Sequence, residues 1–227
     1  MPRSRRALRS AIPILSTLAF IAAVSGAAFG AAAAAQPTSP AEALRTIMAG
    51  NARFAAGHPT HPNRGDLRRI HLARGQNPFV AVLSCSDSRV PPEIVFGQGL
   101  GDVFVVRVAG NSVDPLGLQT LAYAVDHLGT RLIVVLGHDS CGAVKAAVES
   151  YPKADAGVML TNLYPAVAAT RSQPGDRVSK AIDRNVELMV AELKAAPPFA
   201  DRVKDGRLMI VGGRYHLKSG KVTIFPH

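Results

Sequence analysis

Cysteine is scarce in this chain of 227 residues: it occurs twice, at Cys85 and Cys141. That excludes a disulfide framework and any metal site built from three or four thiolates. A single disulfide between the two, favoured in an oxidising compartment, stays open, as does a closed site of two cysteines with two of the seven histidines. Acidic residues are also few, 16 against 26 lysines and arginines. Four of those arginines stand in the first 35 residues, which carry no acid, so the remainder has 22 basic against 16 acidic residues and a net charge of +6 rather than +10. This surplus is scattered. No run of like charge after residue 35 is longer than Arg68-Arg69, which argues against a nucleic-acid partner and leaves only a mild field that attracts small anions.

The leader has its own pattern. Arg3, Arg5, Arg6 and Arg9 form a basic start, Ala11 to Ala28 is apolar and small, and Ala33-Ala34-Ala35 before Gln36 offers a cleavage site. Residues 1–35 read as a secretory signal peptide rather than an anchor, because Pro13, the glycines and the alanines make a poor spanning helix. Ser4-Arg5-Arg6-Ala7-Leu8 also fits the twin-arginine export signal. The expected location is periplasmic or secreted, with no stable membrane insertion after cleavage and residues 36–227 as one folded domain.

Within that domain, Ser39-Pro40-Ala41-Glu42 combines an N-cap, a proline at the first helical position and a capping-box glutamate, so a helix is expected to Ala56. A histidine- and proline-containing loop over 57–65 reads as solvated, and a short helix over 66–75 follows. Apolar runs predict strands at 79–83, 102–108, 132–136, 208–211 and 222–225, the last two joined by a hairpin turn at Lys218-Ser219-Gly220. Helices are expected after Pro91-Pro92-Glu93, over 115–128, 142–149 and 158–170, and over 178–194. No internal repeat is found. Strands alternating with helices predict an α/β fold, a central and mostly parallel sheet flanked by helices.

Two stretches carry the chemistry. The first strand runs into Ser84-Cys85-Ser86-Asp87-Ser88-Arg89-Val90-Pro91-Pro92-Glu93, and the third into Gly137-His138-Asp139-Ser140-Cys141-Gly142. Each puts a soft or borderline metal ligand just past the carboxyl end of a buried strand, where open α/β sheets build their sites. Cys85, His138 and Cys141 supply two thiolates and an imidazole, a set that suits zinc and leaves a fourth position for water or substrate. Asp87 and Arg89 turn back from the same tight loop. A carboxylate beside a guanidinium is held bidentately and its pKa is lowered.

The pair C-S-D-S-R-V-P-P-E and G-H-D-S-C-G-A-V resembles the β-class carbonic anhydrases, over about Gln76 to Val148 and more weakly to the glycine pair at Gly212-Gly213. The resemblance implies a Zn²⁺ enzyme that converts carbon dioxide to bicarbonate by attack of zinc-bound hydroxide. It implies that Asp87, freed by Arg89, orients that hydroxide, and that Asp87 ligates the metal only in a closed state. Gln76, reaching across a dimer interface, matches the residue that hydrogen-bonds substrate. Phe104 and Tyr123 match the pocket wall, and Gly142 the glycine whose N–H faces a substrate oxygen. A homodimer or homotetramer is implied. Gly97 and His216 depart from acidic residues common in bacterial relatives. A carbon disulfide or carbonyl sulfide hydrolase of the same family and a non-catalytic zinc protein are the alternatives. Tryptophan is absent altogether. One branch of the family binds inhibitory bicarbonate through a Trp, an Arg and a Tyr; Val82, Arg107 and Tyr215 occupy those places here, so that regulatory site is expected to be lost.

Overall fold

The computed structural model describes residues 36–226, and the leader read from residues 1–35 lies outside the described residues. Strands β1 (Val80–Ser84), β2 (Val103–Arg107), β3 (Leu132–His138), β4 (Met209–Tyr215) and β5 (Val222–Ile224) form one sheet in the order β2-β1-β3-β4-β5. The first four pair in parallel and β5 closes the edge antiparallel to β4. β1 and β3 are buried at every position, which is why both read as unbroken apolar runs rather than alternating ones. The chain leaves β1 toward β2 on one side, returns across β1 to β3, and continues outward to β4. The strand order therefore switches direction between β1 and β3, and the carboxyl ends of those two strands face a natural crevice.

Alternation along the strands sorts the helices. Ala81, Leu83, Ile133, Val135 and Ile210 face α4 (Pro115–His127), α8 (Arg177–Ala195) and α9 (Pro197–Lys204), whereas Val80, Val82, Leu132, Val134 and Val211 face α1 (Pro40–Ala55) and α3 (Pro92–Val95). The remaining helices are α2 (Asp66–Leu72), α5 (Gly142–Ser150), α6 (Val158–Thr161) and α7 (Tyr164–Thr170), with a 3₁₀ turn at Ala109–Asn111. Among the described residues, no helix is long and apolar enough to cross a membrane.

Three local outcomes differ from the sequence reading. The Ser39 hydroxyl accepts from the Glu42 N–H at 3.2 Å as expected, but Glu42 reaches back to the Thr38 N–H at 2.8 Å, one residue beyond the N-cap. The helix expected over 158–170 is broken into α6 and α7, because Pro165 has no N–H to offer the Thr161 carbonyl and restrains the residue before it. α9 was not expected at all. Proline suits the first turn of a helix, so Pro197-Pro198 can open one, and the fully buried Phe199 stabilises the new segment by roughly 2–3 kcal/mol.

α1 meets α3 by backbone contact. Gly97, at φ +59°, backs onto Gly50, and a Cβ there would lie 3.0 Å from the Gly50 carbonyl oxygen, so an acidic side chain would be both crowded and strained at this position. Beside it, buried Asn51 donates to Val95 O at 3.0 Å and to Gly220 O at 2.8 Å, and accepts from the Val222 N–H at 2.8 Å. One side chain thus ties α1 to α3 and to the β4–β5 hairpin. Asn51→Ala strands three backbone groups and is expected to cost about 2–4 kcal/mol, read as a fall in the urea midpoint; an unchanged midpoint would remove Asn51 from the tie.

Candidate metal centre

β1 ends at Ser84 in register with Leu136 of β3, so Cys85 leaves its strand level with Gly137, one residue before His138 at the end of β3. A turn through Ser140, at φ +54°, then returns the chain to Cys141 at the start of α5. The ligand atoms of Cys85, His138 and Cys141 all lie within 4.8 Å of one another, and all three residues are buried. The two sulfurs are 4.0 Å apart and both cysteines are free, so the disulfide alternative is set aside.

His138 and Cys85 are held from behind. The His138 Nδ1 lies 2.9 Å from the Asp139 carbonyl oxygen, which makes Nδ1 the protonated nitrogen and leaves Nε2 as the lone-pair donor. That Nε2 is buried and has no hydrogen-bond partner. The Gly110 N–H donates to Cys85 Sγ at 3.3 Å, and the Gly110 carbonyl is itself held by Asn185 Nδ2 at 2.8 Å. Gly110 can serve this way because it sits at φ +76°, a backbone conformation that glycine adopts without strain. Sequence reasoning missed both residues: the only signal was a glycine just past β2, and Asn185 reads as an ordinary polar position on α8.

The electrostatics suit a cation. Hydrogen bonding from Cys141 draws the Cys85 thiol down to about 4 against burial, with His138 and the Gly110 N–H adding to the effect. The same bond, together with burial, pushes the Cys141 thiol up. Two buried thiols so close share one proton, whereas a cation between them lets both be thiolate. An orphaned imidazole nitrogen and two sulfurs in one buried cluster fit zinc.

Asp87 stands beside this cluster, with Oδ2 3.9 Å from His138 Nε2. Arg89 grips both carboxylate oxygens, Nε to Oδ1 at 2.9 Å and Nη2 to Oδ2 at 2.7 Å, and its backbone N–H adds a third bond at 3.0 Å. The guanidinium holds the Asp87 carboxyl well below the usual carboxylate range. Arg107 pins the loop, donating to the carbonyls of Cys85 at 3.1 Å and Asp87 at 2.6 Å, and Val82 is fully buried within β1. Gly142 opens α5, and a Cβ there would meet nothing within 4 Å.

Gln76, Phe104 and Tyr123 are not brought to the cluster within the chain. Gln76 precedes β1 and lines a surface groove of about 610 Å³ with α2, Leu100 and Gly101, at the opposite end of the strands. Phe104 pairs with Ala81, four residues short of Cys85, and its ring centroid is 6.4 Å from that of the half-exposed Tyr123.

Two buried thiols and an imidazole at the switch point of a parallel sheet are the donor set of a mononuclear metalloenzyme. The comparisons specify it. The carbonic anhydrase family profile matches residues 80–222. Carbonic anhydrase 2 of Mycobacterium tuberculosis is 41% identical over 196 residues, covering 84% of this chain and 95% of the relative. Among solved structures, a β-carbonic anhydrase from Coccomyxa in complex with acetazolamide superposes with a TM-score of 0.62 at 29% identity, covering 82% of this chain and 86% of that one. A structure from a study of two tetrameric β-carbonic anhydrases of the ascomycete Sordaria macrospora gives 0.65 at 26% identity, with 81% and 97% covered. The chain belongs to the β class of carbonic anhydrases. Its metal is zinc and its reaction is the reversible hydration of carbon dioxide to bicarbonate and a proton. The sulfur-analogue hydrolase is not favoured by these matches.

Removing the Asn185 amide releases the Gly110 peptide that faces Cys85 Sγ. Asn185→Leu is expected to weaken zinc binding by about 10–100-fold in a chelator competition; wild-type affinity in a folded variant would exclude this support.

Proposed function

We propose that Cys85, His138 and Cys141 hold the catalytic zinc and that Asp87 and Arg89 are the catalytic pair beside it. The observation that carries this reading is the orphaned Nε2 of His138, buried within reach of two sulfurs and 3.9 Å from an Asp87 oxygen. Bound zinc supplies the Lewis acidity that makes water nucleophilic near neutral pH. Asp87, kept ionised by Arg89, accepts a hydrogen bond from the attacking water and turns its lone pair toward carbon dioxide. The Gly142 N–H, unpaired in the first turn of α5, faces the developing bicarbonate oxygen.

Arg89 commits both carboxylate oxygens of Asp87, which favours an open centre over one with Asp87 on the metal. The regulatory bicarbonate site has no tryptophan to build on, and its arginine, Arg107, is spent on two carbonyls. Asp87→Asn is expected to keep one zinc per chain and lose hydration activity by about 10²-fold or more, whereas Cys141→Ala loses zinc and activity together. Stopped-flow hydration with metal analysis separates the two; an Asp87→Asn enzyme of normal rate, or a fully zinc-loaded Cys141→Ala, would overturn the corresponding role.

A second subunit completes the pocket in this reading. Gln76, Phe104 and Tyr123 lie away from the cluster of their own chain, and α2 beside Gln76 buries none of its residues while exposing Leu67 and Ile70 at 84% and 60%. An uncovered apolar face next to a substrate-binding residue supports a homodimer, or a tetramer made of such dimers. Light scattering is expected to give at least twice the mass of the mature chain, and Ile70→Glu to split the assembly and lower activity with zinc retained. A fully active monomer would sink the shared pocket.

The basic, alanine-rich leader supports export to the periplasm or beyond, with cleavage after Ala35. Mass spectrometry of the periplasmic fraction should find a chain beginning at Gln36; an intact Met1 terminus confined to the cytoplasm would rule export out.

A further inference from the structure

Arg214 lies on β4 beside Gly137, one residue before Tyr215, in a part of the sheet that the catalytic reading does not use. Its side chain is only 13% exposed, yet it is surrounded by polar groups. Nε donates to Asp139 Oδ1 at 2.7 Å, and Nη1 donates to Ser179 Oγ at 2.8 Å and to Asp183 Oδ1 at 3.0 Å, both on α8. His216 Nδ1 stands 3.4 Å from the same Asp139 oxygen, and its Nε2 is 3.0 Å from Thr223 Oγ1. Asp139 is also held by its backbone, whose N–H donates to the Tyr215 carbonyl at 3.0 Å.

With its amide and its carboxylate both fixed, Asp139 presents its carbonyl in one direction, and that carbonyl is the partner of His138 Nδ1 at 2.9 Å. The next residue, Ser140, has φ +54°, a left-handed conformation that costs a residue with a Cβ about 1 kcal/mol. The turn from His138 to Cys141 therefore does not keep its shape by local preference and needs a hold from outside. Arg214 supplies one through a charge-assisted bond from the neighbouring strand.

We propose that Arg214 is a positioning residue for the zinc site: by clamping Asp139 it fixes the carbonyl that sets the tautomer and direction of His138. The role rests on Cys85, His138 and Cys141 being the zinc ligands. The competing reading is a purely structural tie between β4 and α8 through Asp183 and Ser179. The two differ in which partner matters. Asp139 leads to the ligands, whereas Asp183 leads only to α8.

The test follows zinc release from the purified, zinc-loaded enzyme into a colorimetric chelator, with urea unfolding and the absorption bands of the cobalt(II)-substituted protein recorded in parallel. Arg214→Met and Asp139→Ala are expected to release zinc about tenfold faster or more and to shift the cobalt bands. Asp183→Asn, which removes the charge that holds Arg214 to α8 and leaves the Asp139 bond in place, should stay within about twofold of wild type even where its urea midpoint falls. Release that speeds up as much in Asp183→Asn as in Arg214→Met, or that follows stability across all three variants, makes Arg214 a structural tie and overturns the proposal. Should Arg214→Met fail to fold, Asp139→Ala decides alone, and unchanged release there overturns it equally. Wild-type zinc content that is lost in Cys141→Ala, with unchanged release in Arg214→Met, defeats the positioning role and leaves the ligand set standing. Full zinc in Cys141→Ala defeats both.

Discussion

The parallel pairing of β1 with β3 is the constraint on which the rest depends. Ser84 beside Leu136 is the register that brings Cys85 level with Gly137, one residue from His138, and a slip of one residue would point every side chain of the strand to the other face. Both strands are buried on both faces, so their register is fixed by packing rather than by any contact at the metal centre itself. The centre inherits that rigidity. Its three ligands come from one strand end and one tight turn, and two of them, Cys85 and His138, are backed by a hydrogen bond to sulfur or to imidazole.

α8 is the less obvious partner. Asn185 reaches the Gly110 carbonyl behind Cys85, while Ser179 and Asp183 reach Arg214 and through it Asp139 behind His138. One helix thus touches the supports of two ligands within a span of two turns, and its apolar stripe, with Val186, Met189 and Leu193, is anchored in the sheet core. A metal site braced in this way is held on regular elements rather than on free loops, which keeps ligand geometry tight when substrate and product exchange.

Much of this was legible in the sequence because the signals are local. Unbroken valine- and leucine-rich runs announce the buried parallel strands, and Cys85, Asp87, Arg89, His138 and Cys141 sit within two short motifs whose spacing carries the chemistry. What escaped detection depends on distance in sequence. Asn185 is 75 residues from the Gly110 it supports, and Arg214 is 75 residues from Asp139, so neither leaves a mark in its own neighbourhood. α9 was missed for a different reason: a proline pair both ends one helix and opens the next, and only the burial of Phe199 decides which. Gln76, Phe104 and Tyr123 show a further limit, since within the chain they lie away from the cluster that the two motifs build.

The spacing of the ligands also bears on how the chain holds together. His138 and Cys141 are neighbours, but Cys85 lies 53 residues before His138, so one ion held by all three is a cross-link across a long segment. Closing a loop of that size in the unfolded chain removes entropy worth about 4 kcal/mol by the cross-link relation used for disulfides. In a domain whose net stability is of order 10 kcal/mol, that is a large share. The metal of this enzyme is then also a long-range staple, and a chain whose cysteines stayed unmetallated would carry both a missing catalyst and a looser fold.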